Sequence, residues 1–477
     1  MTPDANDLCV FAVKRGSIEG RIDTFYNQPK YAQVLSELSS RTSLTAFGSI
    51  IESISGGATP LRANEDQYSS SGIKFLRIQN ITPRGFDFSD VKFITENVHN
   101  GLLKRSQLAS GDLLFTITGR IGTSAVVTES CLPANINQHI VRIRLKSGVD
   151  PYYLAAFLNS NIGRLLSNRG VTGTTRIALD YESIKRIPIP AIDDKELQAE
   201  LVQLERNAIN QFNGRIIDSN KLLSGTASFM LTKLGLSFDT SANMISYHAH
   251  LSDIDGRIDA DYYSPRFVSF RKQIEQSSYP NASIAQISEK IVSGFAAGKQ
   301  DQADDLPSDQ RVPHLRPFSI TPEGELSFDT QKYVPKSRLK PEDYCRKNEV
   351  IFNNTNSPDL VGKTTVFDSD VLCAASNHMT RITVKEGVNP YYIAAFFNVL
   401  LSIGYWKLLC TNFNNQAGVN TDTLKKVKIP LPPKEVQDQI AVELMQRRSQ
   451  ANTLRKQAIK DWAEAKAQFE KELLGEK

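Results

Sequence analysis

The two halves of this 477-residue chain spell one domain twice. Gly20-Arg-Ile-Asp-Thr-Phe-Tyr-Asn-Gln-Pro-Lys-Tyr31 returns as Gly256-Arg-Ile-Asp-Ala-Asp-Tyr-Tyr-Ser-Pro-Arg-Phe267. Leu76-Arg77, Ile81-Thr82-Pro83 and Gly85 return as Leu315-Arg316, Ile320-Thr321-Pro322 and Gly324. GVDPYYLAAFLN at 148–159 and GVNPYYIAAFFN at 387–398 agree at 9 of 12 positions, and Ile184-Lys-Arg-Ile-Pro-Ile-Pro190 is answered by Leu424-Lys-Lys-Val-Lys-Ile-Pro430. The offset stays between 236 and 240 residues, the trace of one duplication with small insertions. A chain of this length exceeds one ordinary core, so the repeat predicts two related domains.

Each copy reads as mixed α/β. Short β-rich runs at 74–81, 112–118, 123–128 and 139–146 are separated by Gly, Asn and Pro. A helix is expected over about 151–167, with Asp150 as N-cap and Pro151 in the first helical position, as Asn389 and Pro390 would be in copy two. Leu154, Phe157, Leu158, Ile162 and Leu165 then share one face. After each copy comes a charged stretch with an apolar stripe. Leu197, Leu201, Leu204, Ala208 and Phe212 carry the first, and Val436 through Leu473, with Trp462 among them, the second. Each stripe needs a partner helix, and the simplest partner is the other, as an antiparallel pair. About 40 residues would span roughly 60 Å.

Composition excludes several alternatives. Hydrophobic residues make up 40% and charged residues 23%, as in an ordinary globular protein. No signal peptide is evident, and the longest apolar stretch, Ile393–Trp406, is interrupted by Asn398 and short for a membrane span, so a cytoplasmic location without membrane association is expected. Cys9, Cys131, Cys345, Cys373 and Cys410 are scattered, which argues against a disulfide framework or zinc site. The formal net charge of +4 permits nucleic-acid binding without demanding it.

The chain resembles the specificity (S) subunits of type I restriction-modification systems. The resemblance rests on the GRID-like blocks at 20–26 and 256–262, the strand at 76–81, Gly111-Asp-Leu-Leu114, and the proline-rich exits at 187–190 and 429–433 before Gln/Glu-rich helices. Copy two has Lys347-Asn-Glu-Val350 in place of Gly111-Asp-Leu-Leu114, and its middle blocks diverge most. The resemblance implies an α+β protein: two tandem mixed α/β target-recognition domains in a pseudo-two-fold repeat, separated by two long helices forming an antiparallel coiled coil. The corresponding divisions are 1–191 for domain one, 192–236 for the central helix and connector, 237–433 for domain two and 434–477 for the C-terminal helix. It further implies a non-catalytic subunit that reads a bipartite asymmetric site in double-stranded DNA and holds two methyltransferase (M) subunits, with restriction (R) subunits as further partners. S-adenosylmethionine, ATP and Mg would belong to those partners, none to this chain.

Strings that mimic catalytic motifs have plainer readings. Asp150-Pro-Tyr-Tyr and Asn389-Pro-Tyr-Tyr look like the loop that amino-methyltransferases place against a flipped base, but lack its second proline and sit where helix caps are expected. Gly294-Phe-Ala-Ala-Gly-Lys299 is one residue short of a phosphate loop and is followed by Gln300 where Ser or Thr is needed. Pro358-Asp359 with Lys385 lacks a second acid, since Thr383 stands two before the lysine. His248 and His250 alone leave a tetrahedral metal site half empty. Asp259 and Asp261 belong to the repeat, whose first copy lacks the second carboxylate.

DNA readout needs Arg, Lys, Asn or Gln at base edges and basic or backbone donors at phosphates. The candidates are Arg77, Asn80, Arg84, Lys104, Arg105, Arg120, Thr174 and Arg176 in copy one, and Arg316, Lys336, Arg338, Asn353, Asn354, Asn356 and Lys363 in copy two. Thr172-Gly-Thr-Thr-Arg176 is the strongest patch of copy one, and solvated surface charge is the competing reading for each residue. Three alternatives stay open: a self-contained DNA methyltransferase or nuclease, a free-standing two-headed DNA-binding regulator, and a specificity subunit of another defence system.

Overall fold

The computed structural model describes residues 11–18, 21–60, 67–173, 177–191, 194–239, 246–248, 254, 259–413 and 416–475. The chain divides into two compact units, Met1–Gly214 with Gln457–Lys477, and Arg215–Lys456. The helices Lys195–Lys233 and Lys434–Leu474 each contribute to both units.

In the first unit a four-stranded antiparallel sheet has the order Ile51–Gly56, Ile140–Leu145, Leu113–Thr116, Ser124–Val126. Side chains from these strands and from the following helices build the core, with Leu113, Phe115, Val141, Ile143, Leu154 and Phe157 buried together. A second sheet holds Ile73–Leu76 between Ala134–Ile136, parallel to it, and Lys92–Ile94. Pro188–Ala191 pairs antiparallel with Ser43–Ala46, so the proline-rich exit is an edge strand, where missing N–H donors cost least.

The second unit repeats this plan. Its main sheet runs Ser288–Ser293, Met379–Val384, Glu349–Asn353, Thr364–Phe367. Arg311–Leu315 lies parallel to Ala374–Ala375, and Lys428–Pro430 pairs with Asn281–Ser283. The duplicated residues explain the duplicated geometry. Asp150 Oδ1 accepts from the Tyr152 N–H at 2.8 Å, and Asn389 Oδ1 accepts from Tyr391 and Tyr392 at 2.8 and 3.2 Å. Both D/N-Pro-Tyr-Tyr strings are therefore helix N-caps. The second tyrosine of each string pins its exit strand: Tyr153 donates to the Pro190 carbonyl at 3.2 Å and Tyr392 to that of Pro430 at 2.8 Å.

One expectation needs correction. The helix over 151–167 is two helices, Pro151–Asn159 and Asn161–Arg169, because Ser160 turns extended and caps the second through its Oγ, which accepts from the Gly163 N–H at 3.0 Å. Leu166 is buried after the break, whereas Leu165 is only half-buried. The long helices are also more than partners for each other. Leu201, Val202, Phe469 and Leu473 lie in the core of the first unit, and Met230, Leu234, Ile440 and Leu444 in that of the second. Within each unit the two helices run antiparallel: Phe212 meets Trp462 edge-on with ring centroids 6.5 Å apart in the first, and Arg447 lies over Phe229 at 4.5 Å in the second. Trp462 thus faces the seam. Among the described residues no helix is long and apolar enough to cross a membrane.

Candidate nucleic-acid interface

In each unit, loops leaving the ends of the main-sheet strands converge on one edge. In the first unit the Ile117 N–H donates to the His139 carbonyl at 3.0 Å, and the Leu179 N–H to the Ile117 carbonyl at 3.0 Å. These bonds tie the loop 117–122 to the turn 137–139 and to the segment 177–179. Thr118 and Thr172 both bridge to Ala178, and Arg120 Nη2 donates to the Ile78 carbonyl at 3.2 Å. In the second unit the Asn354 N–H donates to the His378 carbonyl at 3.0 Å and the Val419 N–H to that of Asn354 at 2.9 Å. There Thr355–Asn356 joins a small sheet with Gln416–Gly418 and Thr411–Phe413. Thr174 and Arg176 of copy one lie outside the described residues.

The candidate side chains separate into outward and inward groups. Lys104, Arg105, Arg120, Lys336 and Arg338 are exposed, the last paired with buried Asp301 at 2.8 Å. Arg77, Arg316 and Asn356 are half-buried, Arg77 holding Asp90 at 2.8 Å. Five others are engaged within the protein. Asn80 is 1% exposed; its Oδ1 accepts from the Arg77 N–H at 2.9 Å and its Nδ2 donates to the Asp87 carbonyl at 2.8 Å. Arg84 stacks over the Phe212 ring at 3.9 Å. Asn353 is fully buried and donates to the Leu360 carbonyl at 3.0 Å. Asn354 donates to the Asn377 carbonyl and to Thr380 Oγ1 at 3.2 and 2.9 Å. Lys363 donates to the carbonyls of Pro317 and Ile320 at 2.9 and 2.7 Å, and burial holds its ammonium below the usual lysine pKa. These groups hold loops in place, and a buried donor that leaves its partner costs its full desolvation penalty.

Burial dominates the electrostatics beneath these edges. His314 is 3% exposed and pushed down to about 4 by burial, so its imidazole is neutral at ordinary pH, 3.2 Å from the Phe295 carbonyl. Asp112 pairs with Arg144 at 3.1 Å, and its counterpart Glu349 with Arg381 at 3.5 Å. Among the described residues no group of three or more His, Cys, Asp or Glu is placed to hold a metal ion. Gly294 crosses directly under the Ala375 and Ser376 carbonyls, Asp359 is paired with Lys407 at 2.9 Å, and His250 lies outside the described residues.

Sequence reasoning missed Gln138, His139, Asn377 and His378, which stand at the centre of the two edges. The signal was present, because Gln138-His139-x-x-Arg142-Ile143 and Asn377-His378-x-x-Arg381-Ile382 keep the 239-residue offset of the repeat. A second repeated feature lies between each domain and its long helices. In the first unit a cleft of about 320 Å³ is lined by Gly85, Tyr152, Val202, Glu205 and Arg206. In the second a cleft of about 470 Å³ is lined by Gly324, Tyr391, Ala441, Leu444 and Arg448. Glu205 is pushed up to about 7, chiefly by burial, with Lys466 opposing that rise.

A duplicated loop-edged domain carried on long helices defines a class of twin-headed binding proteins. The family model for the type I restriction modification DNA specificity domain matches residues 46–217 and 324–461, and the chain belongs to that family. A putative type I restriction enzyme MjaX specificity subunit of Methanocaldococcus jannaschii is 28% identical over 140 residues, which is 28% of this chain and 33% of that protein. The match thus spans about a third of that relative's length. A solved structure described as the basis of complex assembly and conformational transition of the type I R-M system aligns over 90% of this chain and 97% of its own, at TM-score 0.50 and 16% identity, a likeness of fold. The S subunit of a type I restriction-modification system from M. genitalium aligns over 90% and 95% at TM-score 0.43 and 11% identity.

Proposed function

We propose that this chain is the sequence-specificity subunit of a type I restriction-modification complex. Each unit reads one half of a bipartite asymmetric DNA site, and the long helices hold two methyltransferase subunits; restriction subunits join the same assembly. The observation that carries this reading is the pair of equivalent edges whose frameworks coincide while their loops differ. The loop closed by the Gly122 N–H on the Thr116 carbonyl spans six positions, and its counterpart closed by Gly362 on Asn353 spans nine. One scaffold with two loop sets suits two different half-sites, since base readout depends on which side chains reach the groove.

Support for the partner role lies on the helices. Ile217 and Ile459 are well exposed apolar side chains on them, as are Val442 and Met445. Cofactors and the chemical step belong to the partners in this reading, and the chain supplies address and geometry. Co-expression with the cognate methyltransferase subunit, followed by methylation-sensitive sequencing of cellular DNA, tests it. A bipartite adenine-methylated motif that needs both chains is the expected result. Methylation by this chain alone would refute the proposal.

A further inference from the structure

The loops Asn137-Gln138-His139 and Ser376-Asn377-His378 are held alike, although the loops beside them have diverged. The Asn137 N–H donates to the Leu76 carbonyl at 3.0 Å and the Ser376 N–H to the Leu315 carbonyl at 2.8 Å. Beneath each loop a glycine crosses so closely that a Cβ on Gly57 would lie 1.9 Å from the Ile136 oxygen, and one on Gly294 2.1 Å from the Ala375 oxygen. No larger residue fits at either crossing, so both loops sit on fixed backbone. By contrast, the neighbouring loops 117–122 and 354–362 differ in length, and where Thr172 makes an isolated bridge to Ala178 the second unit pairs the strands Thr411–Phe413 and Gln416–Gly418.

Both loops present an exposed amide followed by a half-buried imidazole. The Thr59 hydroxyl donates to the Gln138 side-chain oxygen, and the Gln138 NH₂ lies 3.2 Å from His139 Nε2, which leaves its second hydrogen for a partner outside. His139 is steadied by Thr118 Oγ1, 3.0 Å from its Nδ1. The residue next to the strand end that anchors each loop is an arginine, Arg77 or Arg316. Two domains that read different half-sites cannot distinguish them with a feature they share. Beyond the adenine that is methylated, what both half-sites have in common is the sugar-phosphate backbone, whose oxygens accept hydrogen bonds whatever the sequence.

We propose that Gln138–His139 and Asn377–His378 dock the duplex through its phosphates in the same way at both half-sites, leaving base readout to the divergent loops beside them. The inference rests on the DNA-specificity reading above and adds a division of labour within each edge. Phosphate contacts of this kind fix register and orientation without carrying sequence information.

The test uses the complex with its methyltransferase subunit and duplexes bearing the motif found by sequencing. In wild type, neutral methylphosphonates placed one at a time should weaken binding at a matching phosphate in each half-site. Gln138→Ala/His139→Ala should raise Kd about three- to ten-fold on cognate and unrelated duplexes alike. It should also abolish the methylphosphonate effect in its own half-site only, with the methylated motif unchanged. Asn377→Ala/His378→Ala should do the same in the other half. Gln138→Lys, which keeps a donor and adds charge, should retain binding with a steeper salt dependence, by about one phosphate contact. A changed base preference in one half-site would overturn the inference, as would unaltered affinity with an unaltered methylphosphonate profile. Absence of any motif with the wild-type complex would instead bring down the specificity reading, and this inference with it.

Discussion

Asn159 holds Ser124 by both of its backbone groups: its Oδ1 accepts from the Ser124 N–H at 3.0 Å, and its Nδ2 donates to the Ser124 carbonyl at 2.8 Å. Asn398 holds Thr364 in the same two bonds at 3.0 and 2.8 Å. The last residue of the best-matched repeat block is therefore a latch between a core helix and the strand that follows the variable loop. Asn159→Leu should destabilise the first unit by about 2–4 kcal/mol, because two buried backbone groups lose their partners. Asn398→Leu should act likewise on the second. Chemical denaturation of the full chain, with hydrogen exchange to localise the loss, checks both; a variant as stable as wild type would show that the latch contributes nothing.

Glu349 and Arg381 form a buried pair, with 5% and 4% of their side chains exposed. Arg381 also donates to the Tyr344 and Glu342 carbonyls. Arg381→Met strands a carboxylate in a low-dielectric setting and should cost about 3–5 kcal/mol. The double variant Glu349→Leu/Arg381→Met should recover part of that loss, since replacing both charges removes the stranded one. Urea midpoints of the two variants against wild type decide it.

Arg84 and Lys363 were credited to DNA by charge alone, yet the structure spends both internally. Lys363→Met, which leaves the Pro317 and Ile320 carbonyls without their donor, should lower stability by about 1–3 kcal/mol. Arg84→Ala should loosen the Phe212–Trp462 seam. Neither should alter the methylated motif. A changed motif with either variant would return that residue to the reading surface.

These cases mark what the sequence discloses. Caps, edge strands and long helices were legible because each depends on local chemistry: Asp or Asn before Pro, prolines tolerated at an edge, and apolar residues at helical spacing. The direction of a polar side chain is not local. Asn353 ends a buried strand and Asn354 follows it, and only the loop folding over them turns both inward. The break at Ser160 was hidden because Leu154 to Leu166 keeps an apolar rhythm through it. The division of each long helix between two units was hidden as well, since a stripe of leucines does not say whether a domain or another helix will cover it. The Gln-His and Asn-His loops were readable from the repeat register, but an isolated amide beside a histidine does not by itself disclose that both loops are anchored alike.

The last prediction concerns Glu205, which sits on the first long helix and is pushed up to about 7 from an ordinary 4.5. Burial is the main cause; Lys466 opposes it but is itself lowered by burial, with Glu470 favouring its charge and Arg164 opposing it. Below about pH 4.5 the carboxyl is protonated in both folded and unfolded chains and adds no pH dependence. Between about 4.5 and 7 the folded chain keeps a proton that the unfolded chain has released, so stability falls as pH rises. Above 7 the loss levels off, and a shift of this size amounts to about 3–4 kcal/mol. Glu205→Gln cannot ionise and should flatten that slope, leaving the variant more stable than wild type at about pH 8 and close to it at about pH 5. Urea unfolding of both proteins at those two pH values is the measurement. Parallel pH profiles would mean that Glu205 keeps its charge in the folded chain, with Lys466 outweighing burial.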